Sequence, residues 1–358
     1  MRARRMACAQ IYPSNRQQGP DMRHFLSTAD WTRNELQGLL DRASAFKSGT
    51  VSRSLEGKSV ALVFFNPSLR TRTSFDIGTQ RLGGHAIVLD AKGATWPMEF
   101  GEGAVMDGDK EEHVREAARV LSSYVDLIAI RCFPEFKDWQ SEREDPLIEA
   151  FAKHATVPVI NMETIVHPCQ ELAHMLALQE RMGPIADKTY LLTWVPHPKP
   201  LNTAVANSSL LIASKFGANV RILVPDEAYR LDERYMSAAE RFTAEGGGSV
   251  SLMTDVEAAY DGADVVYAKS WGALPFYGNW GDEAPLRAKG ADFMITPEKM
   301  ALTNNATVSH CLPMRRNVKI ADAVVDSPAF MGIEEAANRL PVQMAVMEAL
   351  AGQAGGAE

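Results

Sequence analysis

Short apolar runs alternate with amphipathic, helix-length segments along almost the whole chain, and this rhythm restricts the fold more than any other feature. In order come "SVALVFF", a helical stretch through "RTSFDIGTQRL" stopped by Gly83 and Gly84, "AIVLD", a helix through "EEHVREAARVLSSY", "DLIAI", a helix near "PLIEAFAKH", and "VPVINM". Apolar runs too short for a buried helix, each followed by a 3.6-period segment, are the mark of βαβ units. Such units place parallel strands in one sheet with helices on both faces. Upstream, Leu36, Leu39, Leu40, Ala43 and Phe46 share one face of a helix that follows the capping-type run "STAD".

The second half repeats the rhythm. A helix through "CQELAHMLALQERM", with Leu172, Leu176 and Gln179 on one face, leads to "TYLLTWV", the helix "TAVANSSLLIASKFG", "NVRILV", a polar helix around "YMSAAERFTAEGG", and the strands "SVSLM" and "DVVYA". With 358 residues, 46% of them hydrophobic, the chain can bury two cores. The expected architecture is α/β: two doubly wound parallel-sheet domains, 22–165 and 166–333, joined by helices. A last helix, about Glu334 to Leu350 within 334–358, is expected to pack back on the first domain, and the Gly/Ala-rich tail to fray. Residues 1–21 are basic and polar with no apolar core for a secretory signal, and are expected to form a disordered extension.

A formal net charge of −8 argues against a nucleic-acid partner, so any phosphate chemistry must rest on local arginines. No apolar stretch reaches the length of a membrane span. Cys8, Cys132, Cys169 and Cys311 lie far apart without CxxC spacing, which suits a reducing cytosol and a cytoplasmic protein.

Four segments carry candidate chemistry. In "NPSLRTRTSF" an apolar strand breaks at Asn-Pro-Ser and a helix begins, so that helix-start amides, Ser68, Arg70, Thr71 and Arg72 converge on a plausible anion site. An exposed arginine-rich helix start is the plainer alternative. "RCFPEF" puts Arg131 at the carboxyl end of "DLIAI", where open α/β sheets bind ligands, though a loop arginine reads the same way. "HPCQELAH" places His167 and Gln170 at a helix start with Pro168 in the favoured first turn. An imidazole there can donate to an oxyanion and Gln170 can hold an amide, or His167 can simply cap. His174 reads as packing and not as a metal ligand. "SHCLPMRRN" offers a thiol, a proline turn and two arginines, or merely a buried cysteine at a strand end. "EGKS" lacks the first glycine and the preceding strand of a P-loop, and "GEGAVM" lacks the third glycine of a dinucleotide fingerprint. A nicotinamide-dependent dehydrogenase therefore has no local support.

In this order and at these separations, "SLRTRTSF", Arg131 before a short loop, "HPCQ" and "HCLP" resemble the aspartate/ornithine carbamoyltransferases, over about Met22 to Leu350. The resemblance implies a carbamoyl-phosphate domain, a second-substrate domain, no metal, no cofactor, and a homotrimer with active sites shared between subunits. It also implies that Ser68, Leu69, Arg70 and Thr71 hold the phosphate, with Thr71 touching the carbonyl oxygen. Arg131, His167 and Gln170 would hold the carbamoyl group, Pro168 and Cys169 would contact carbamoyl phosphate, and the carbonyls of Cys311 and Leu312 would orient the attacking amine.

Enzymes for free ornithine share an Asp-x-Trp-x-Ser-Met-Gly stretch for the charged α-amino group, where this chain has "YAKSWGALPF". Without the acidic element a cationic α-amine lacks its partner, and an acylated, neutral one fits better. "WPMEF", "NMET", "HPKPLNTAVANS" and "YAKSWGALP" together resemble the N-acetylornithine carbamoyltransferase subgroup. That resemblance implies Glu163 and Lys269 at the acetylornithine with Leu312 beside it, Arg339 on the phosphate, and Trp96 reaching carbamoyl phosphate from a neighbouring subunit. Lys319 matches a lysine found carboxylated in the subgroup, although its local sequence reads as an exposed base. Glu111 either borders the acyl pocket or is a solvated helix-start carboxylate. N-succinylornithine or ornithine as acceptor, and a non-catalytic anion-binding protein of this fold, remain the alternatives.

Overall fold

The computed structural model describes residues 22–93 and 95–352, so the expectations for 1–21 and for the end of the tail lie outside the described residues. The first half comprises α1 (Arg33–Lys47), β1 (Ser59–Phe64), α2 (Arg70–Arg81), β2 (His85–Asp90), the short strands β3 (Met98–Glu99) and β4 (Glu112–His113), α3 (Val114–Tyr124), β5 (Leu127–Arg131), α4 (Trp139–Glu142), α5 (Pro146–His154) and β6 (Val159–Glu163). After α6 (Pro168–Met182) come β7 (Thr189–Trp194), α7 (Ala204–Lys215), β8 (Asn219–Leu223), α8 (Glu233–Gly246), β9 (Ser249–Met253), α9 (Val256–Tyr260) and β10 (Val265–Lys269). The chain ends through α10 (Trp280–Ala288), α11 (Pro297–Met300), β11 (Thr307–Ser309), α12 (Asp322–Val325) and α13 (Gly332–Ala351).

Two all-parallel sheets result, in the orders β2-β1-β5-β6 and β11-β10-β7-β8-β9. The runs "VALVF" and "YLLTW" are buried on both faces, as central parallel strands covered by helices must be. In each sheet the order reverses beside the strand that comes first in sequence: β1 has β2 on one side and β5 on the other, and β7 has β8 and β10. Connections leaving the carboxyl ends there diverge in opposite directions and open a crevice.

Local signals set the helix limits. Thr32 and Glu35 close a reciprocal capping box on α1, and the five apolar residues of its predicted face are all buried. Gly83, at φ +86°, ends α2 in a conformation glycine adopts without strain. Helix α6 departs from the one-sided pattern, since Pro168 to Leu178 are buried all round. It packs against α13, α7, α1 and β6 and has no solvent face over that length. Helix α13 returns from the second half to pack on α6, α1 and α2. A Cβ at Gly78 of α2 would lie 3.2 Å from Met347 Cε, so the two helices approach closely at this point. Arg42 and Glu348 pair across the same junction, and Lys58 Nζ donates to the Ala351 carbonyl at 3.0 Å.

Candidate active site

The crevices of the two sheets face each other across a cavity of about 730 Å³. The segment after β1 supplies Ser68, Leu69, Arg70 and Thr71, β5 supplies Arg131, and β6 supplies Glu163; α6 adds His167 and Gln170 from its start. From the other side come Lys269 at the end of β10, Cys311 and Leu312 after β11, and Lys319, while α13 contributes Arg339.

One end of the cavity is built for an anion. The Thr71 backbone N–H donates to Ser68 Oγ at 3.1 Å, which shapes the first turn of α2. Thr71 is fully buried, and its Oγ1 accepts from Arg339 Nη2 at 2.6 Å and Arg131 Nη1 at 3.5 Å. Arg131 also pairs with Glu163, its neighbour across the β5–β6 register. Burial pulls Arg70 below its usual range and Arg339 down to about 10, but both remain cations at neutral pH. The Nε atoms of Arg70, Arg131 and Arg339 are buried without a hydrogen-bond partner. Three guanidiniums with unused donors and one carboxylate between them call for an anionic ligand.

Beside this cluster the His167 backbone N–H donates to Ser208 Oγ at 2.7 Å, and the ring Nε2 lies 3.3 Å from Glu163 Oε2. Burial, with Arg339, Arg131, Lys269 and Arg70 around it, pushes His167 well below the usual histidine range, so the imidazole is neutral at pH 7. Its Nδ1 and the Oε1 of Gln170 are buried with no partner.

On the second-half side of the cavity Lys269 Nζ lies 3.5 Å from Cys311 Sγ. Leu312 takes φ +52°, uncommon for a side chain of its size, and its N–H donates to His310 Nδ1 at 2.9 Å. Lys319 corrects the sequence reading of an exposed base. It is only 2% exposed, with Nζ 3.3 Å from His310 Nε2. The Ile295 N–H donates to the Lys319 carbonyl at 2.9 Å, a tertiary pairing that draws the segment inward. Burial first, and then repulsion from Lys269, bring its ammonium down to about 7.

Other candidates fall elsewhere. Pro168 is buried at the start of α6 and does not line the cavity; Cys169 points into the apolar core, where burial pushes its thiol up to about 12. Arg72 is exposed and borders a separate cavity of about 410 Å³, because one residue along a helix rotates the side chain by about 100° from Thr71. Arg316 is likewise outside, paired with Asp322 and Asp326, whereas Arg315 lines the cavity. Trp96, 63% exposed, and Glu111, also exposed, do not reach the cavity of their own chain. The β3–β4 pairing holds both on one surface flap, where the Glu111 N–H donates to the Pro97 carbonyl at 3.1 Å. His174 is hydrogen-bonded instead of merely packed, to Glu335 and Tyr190.

His197, Leu201 and Asn202, none of them among the candidates above, line the cavity from the segment after β7. "HPKPLNTAVANS" held that signal, since it follows the second switch-point strand. Among the described residues, no group of three or more His, Cys, Asp and Glu side chains could hold a metal ion. No described helix is long and apolar enough to cross a membrane.

Comparison with known proteins agrees with this geometry. Residues 23–180 match the profile described as "Aspartate/ornithine carbamoyltransferase, carbamoyl-P binding domain", and residues 201–350 match "Aspartate/ornithine carbamoyltransferase, Asp/Orn binding domain". The chain is 59% identical to the N-acetylornithine carbamoyltransferase of Xanthomonas campestris over 334 residues, 93% of this chain and 98% of that one. It is 56% identical to the enzyme of the same name from Xylella fastidiosa, again over 334 residues, 93% and 99% of the two chains. A crystal structure of acetylornithine transcarbamylase complexed with acetylcitrulline superposes with a TM-score of 0.91 at 59% identity, covering 92% of this chain and 99% of the other. With both halves matched in order around one arginine-rich crevice, the chain belongs to the aspartate/ornithine carbamoyltransferase family.

Proposed function

We propose that this enzyme transfers the carbamoyl group of carbamoyl phosphate to the side-chain amine of N-acetyl-L-ornithine, giving N-acetyl-L-citrulline and phosphate. The observation that carries the reading is one cavity lined together by buried Arg131 and Arg339, half-buried Arg70 and Lys269, the three guanidiniums each keeping an unpartnered Nε. Carbamoyl phosphate brings its own leaving group, so the protein needs no covalent nucleophile. It must neutralise phosphate, polarise the C=O and hold a neutral amine in line.

Ser68, Leu69, Arg70, Thr71 and Arg339 bind the phosphate. Thr71, Arg131 and neutral His167 donate to the carbonyl oxygen as it gains charge, and Gln170 holds the carbamoyl amide. The amine nitrogen bonds to the carbamoyl carbon, the bond from that carbon to the phosphate oxygen breaks, and the departing phosphate accepts the amine proton. Cys311 and Leu312 orient the amine through their carbonyls. Lys269 pairs with the acceptor carboxylate, and Glu163, held by Arg131, also meets the acceptor. A neutral acetamido group suits "YAKSWGALP", which provides no carboxylate for a cationic α-amine. Residues 22–165 form the carbamoyl-phosphate unit, 166–333 the acetylornithine unit, and 334–358 the C-terminal segment, whose helix, ending at Ala351, returns to the first unit. The working assembly is a homotrimer in the cytoplasm, acting in arginine biosynthesis, with Trp96 and Glu111 on the exposed flap serving the neighbouring site.

The test compares kcat/KM for N-acetylornithine, N-succinylornithine and ornithine by ureido-product formation. N-acetylornithine should lead by at least about ten-fold. A higher value for either rival would replace the acceptor, and carbamoyl-phosphate binding with no turnover of any of the three would reduce the chain to an anion-binding protein.

A further inference from the structure

Glu335 lies in the first turn of α13, is fully buried and does not line the cavity. Four side chains from three other elements nevertheless converge on it. Gln170 Nε2 and the Tyr267 hydroxyl, the latter at 2.9 Å, donate to Oε1; the Ser309 hydroxyl donates to Oε2, which His174 Nδ1 meets at 2.9 Å. His174 is held in turn by the Tyr190 hydroxyl, 2.9 Å from its Nε2. These contacts fill the acceptor capacity of one carboxylate. Burial pushes the Glu335 pKa up, but attraction to His174 and the hydrogen bonds from His174, Ser309 and Tyr267 outweigh it and hold the group below the usual range.

An ionised carboxylate only accepts. Gln170 must therefore turn its NH2 toward Glu335, which leaves the amide oxygen as the end presented to the site. That oxygen is buried and unpartnered, on a residue that does line the cavity. We propose that Glu335 is a positioning residue that fixes the polarity of the Gln170 amide, making the subsite beside His167 an acceptor for ligand N–H groups. On the carbamoyl-transfer reading, on which this inference rests, Glu335 thereby selects a carbamoyl NH2 over a methyl group or an anionic oxygen at the same point. It does so without touching the ligand. Because α13 also carries Arg339, one helix sets both the anion contact and the amide polarity.

The substitution Glu335→Gln tests this, since a glutamine can donate as well as accept and allows the Gln170 amide to turn over. Dissociation constants are measured for carbamoyl phosphate, acetyl phosphate and inorganic phosphate. Carbamoyl phosphate should weaken about ten-fold or more relative to the other two, which should stay within about two-fold of wild type. Equal weakening of all three would mean that Glu335 only supports packing, and no weakening would mean that it is idle; either result overturns the proposal. Neutron diffraction from deuterated wild-type crystals gives an answer that does not depend on the variant folding. Deuterons of Gln170 Nε2 facing Glu335 are expected, and the amide oxygen in that place would overturn the proposal. If wild-type protein failed to bind carbamoyl phosphate, the functional reading would fall, while the neutron map would still decide the amide orientation.

Discussion

Thr71→Val removes one hydroxyl and leaves the side-chain volume almost unchanged, at a position where the structure makes two separate effects calculable. Thr71 Oγ1 is the acceptor for Arg339 Nη2 at 2.6 Å and lies 3.5 Å from Arg131 Nη1. In the ligand-free protein its loss leaves a fully buried guanidinium short of a partner, a cost of about 1–3 kcal/mol. Both arginines occupy the oxygen as donors, so the hydroxyl proton is free to point at a ligand carbonyl. Losing such a donor to a developing oxyanion lowers kcat by about 10²–10³. The two effects respond differently to ligand. Phosphate supplies oxygens to Arg339, so saturating phosphate should recover most of the stability loss while the kcat defect remains. Urea unfolding with and without phosphate reads the first effect, and steady-state N-acetylcitrulline formation reads the second. A kcat within about three-fold of wild type, or a stability loss that phosphate leaves unchanged, would refute the assignment of Thr71 to both roles.

Arg131→Ala and His167→Ala should each lower kcat by about 10²–10³ in folded protein, and an unchanged kcat would remove that residue from the mechanism. Arg131→Ala and Trp96→Ala subunits, each nearly inactive alone, should regain activity on co-refolding if Trp96 serves a neighbour's site; purified mixed trimers no better than the parents would place Trp96 in a structural role. His310 is buried, accepts the Leu312 N–H, and is held well below the unfolded value near 6.5 by burial, with Lys319, Lys269, Arg70 and His197 adding to it. A histidine depressed in this way contributes stability above pH 6.5 that is lost as pH falls. By pH 5 the loss approaches about 2 kcal/mol if the native ring stays neutral. The destabilisation caused by His310→Asn should thus shrink by about that amount between pH 7.5 and 5. Asp145, raised to about 7 by burial, changes stability in the opposite sense but cancels in the difference between variant and wild type. A variant-to-wild-type difference independent of pH would show that His310 takes up protons in the folded protein.

Much of the molecule was legible along the chain because the determining physics is local. Strand and helix periods identified the two parallel sheets, and the turn chemistry of Asn66-Pro67-Ser68 located the start of α2. The carboxyl-end rule for open sheets then placed Arg131 beside the crevice before any contact was known. The burial of Lys319 was not legible, since it depends on a backbone pairing with Ile295, far away in sequence. Nor was the role of Glu335, whose partners come from α6, β10 and β11. An acidic residue in the first turn of a helix ordinarily faces solvent and complements the dipole. Only the return of α13 between the two halves turned it inward. Sequence thus determined the elements and the residue types at their ends, where each depends on neighbours within a few positions. Tertiary structure decided which of those residues became buried, paired and oriented, because desolvation and hydrogen bonding depend on groups that the chain brings together only when it folds.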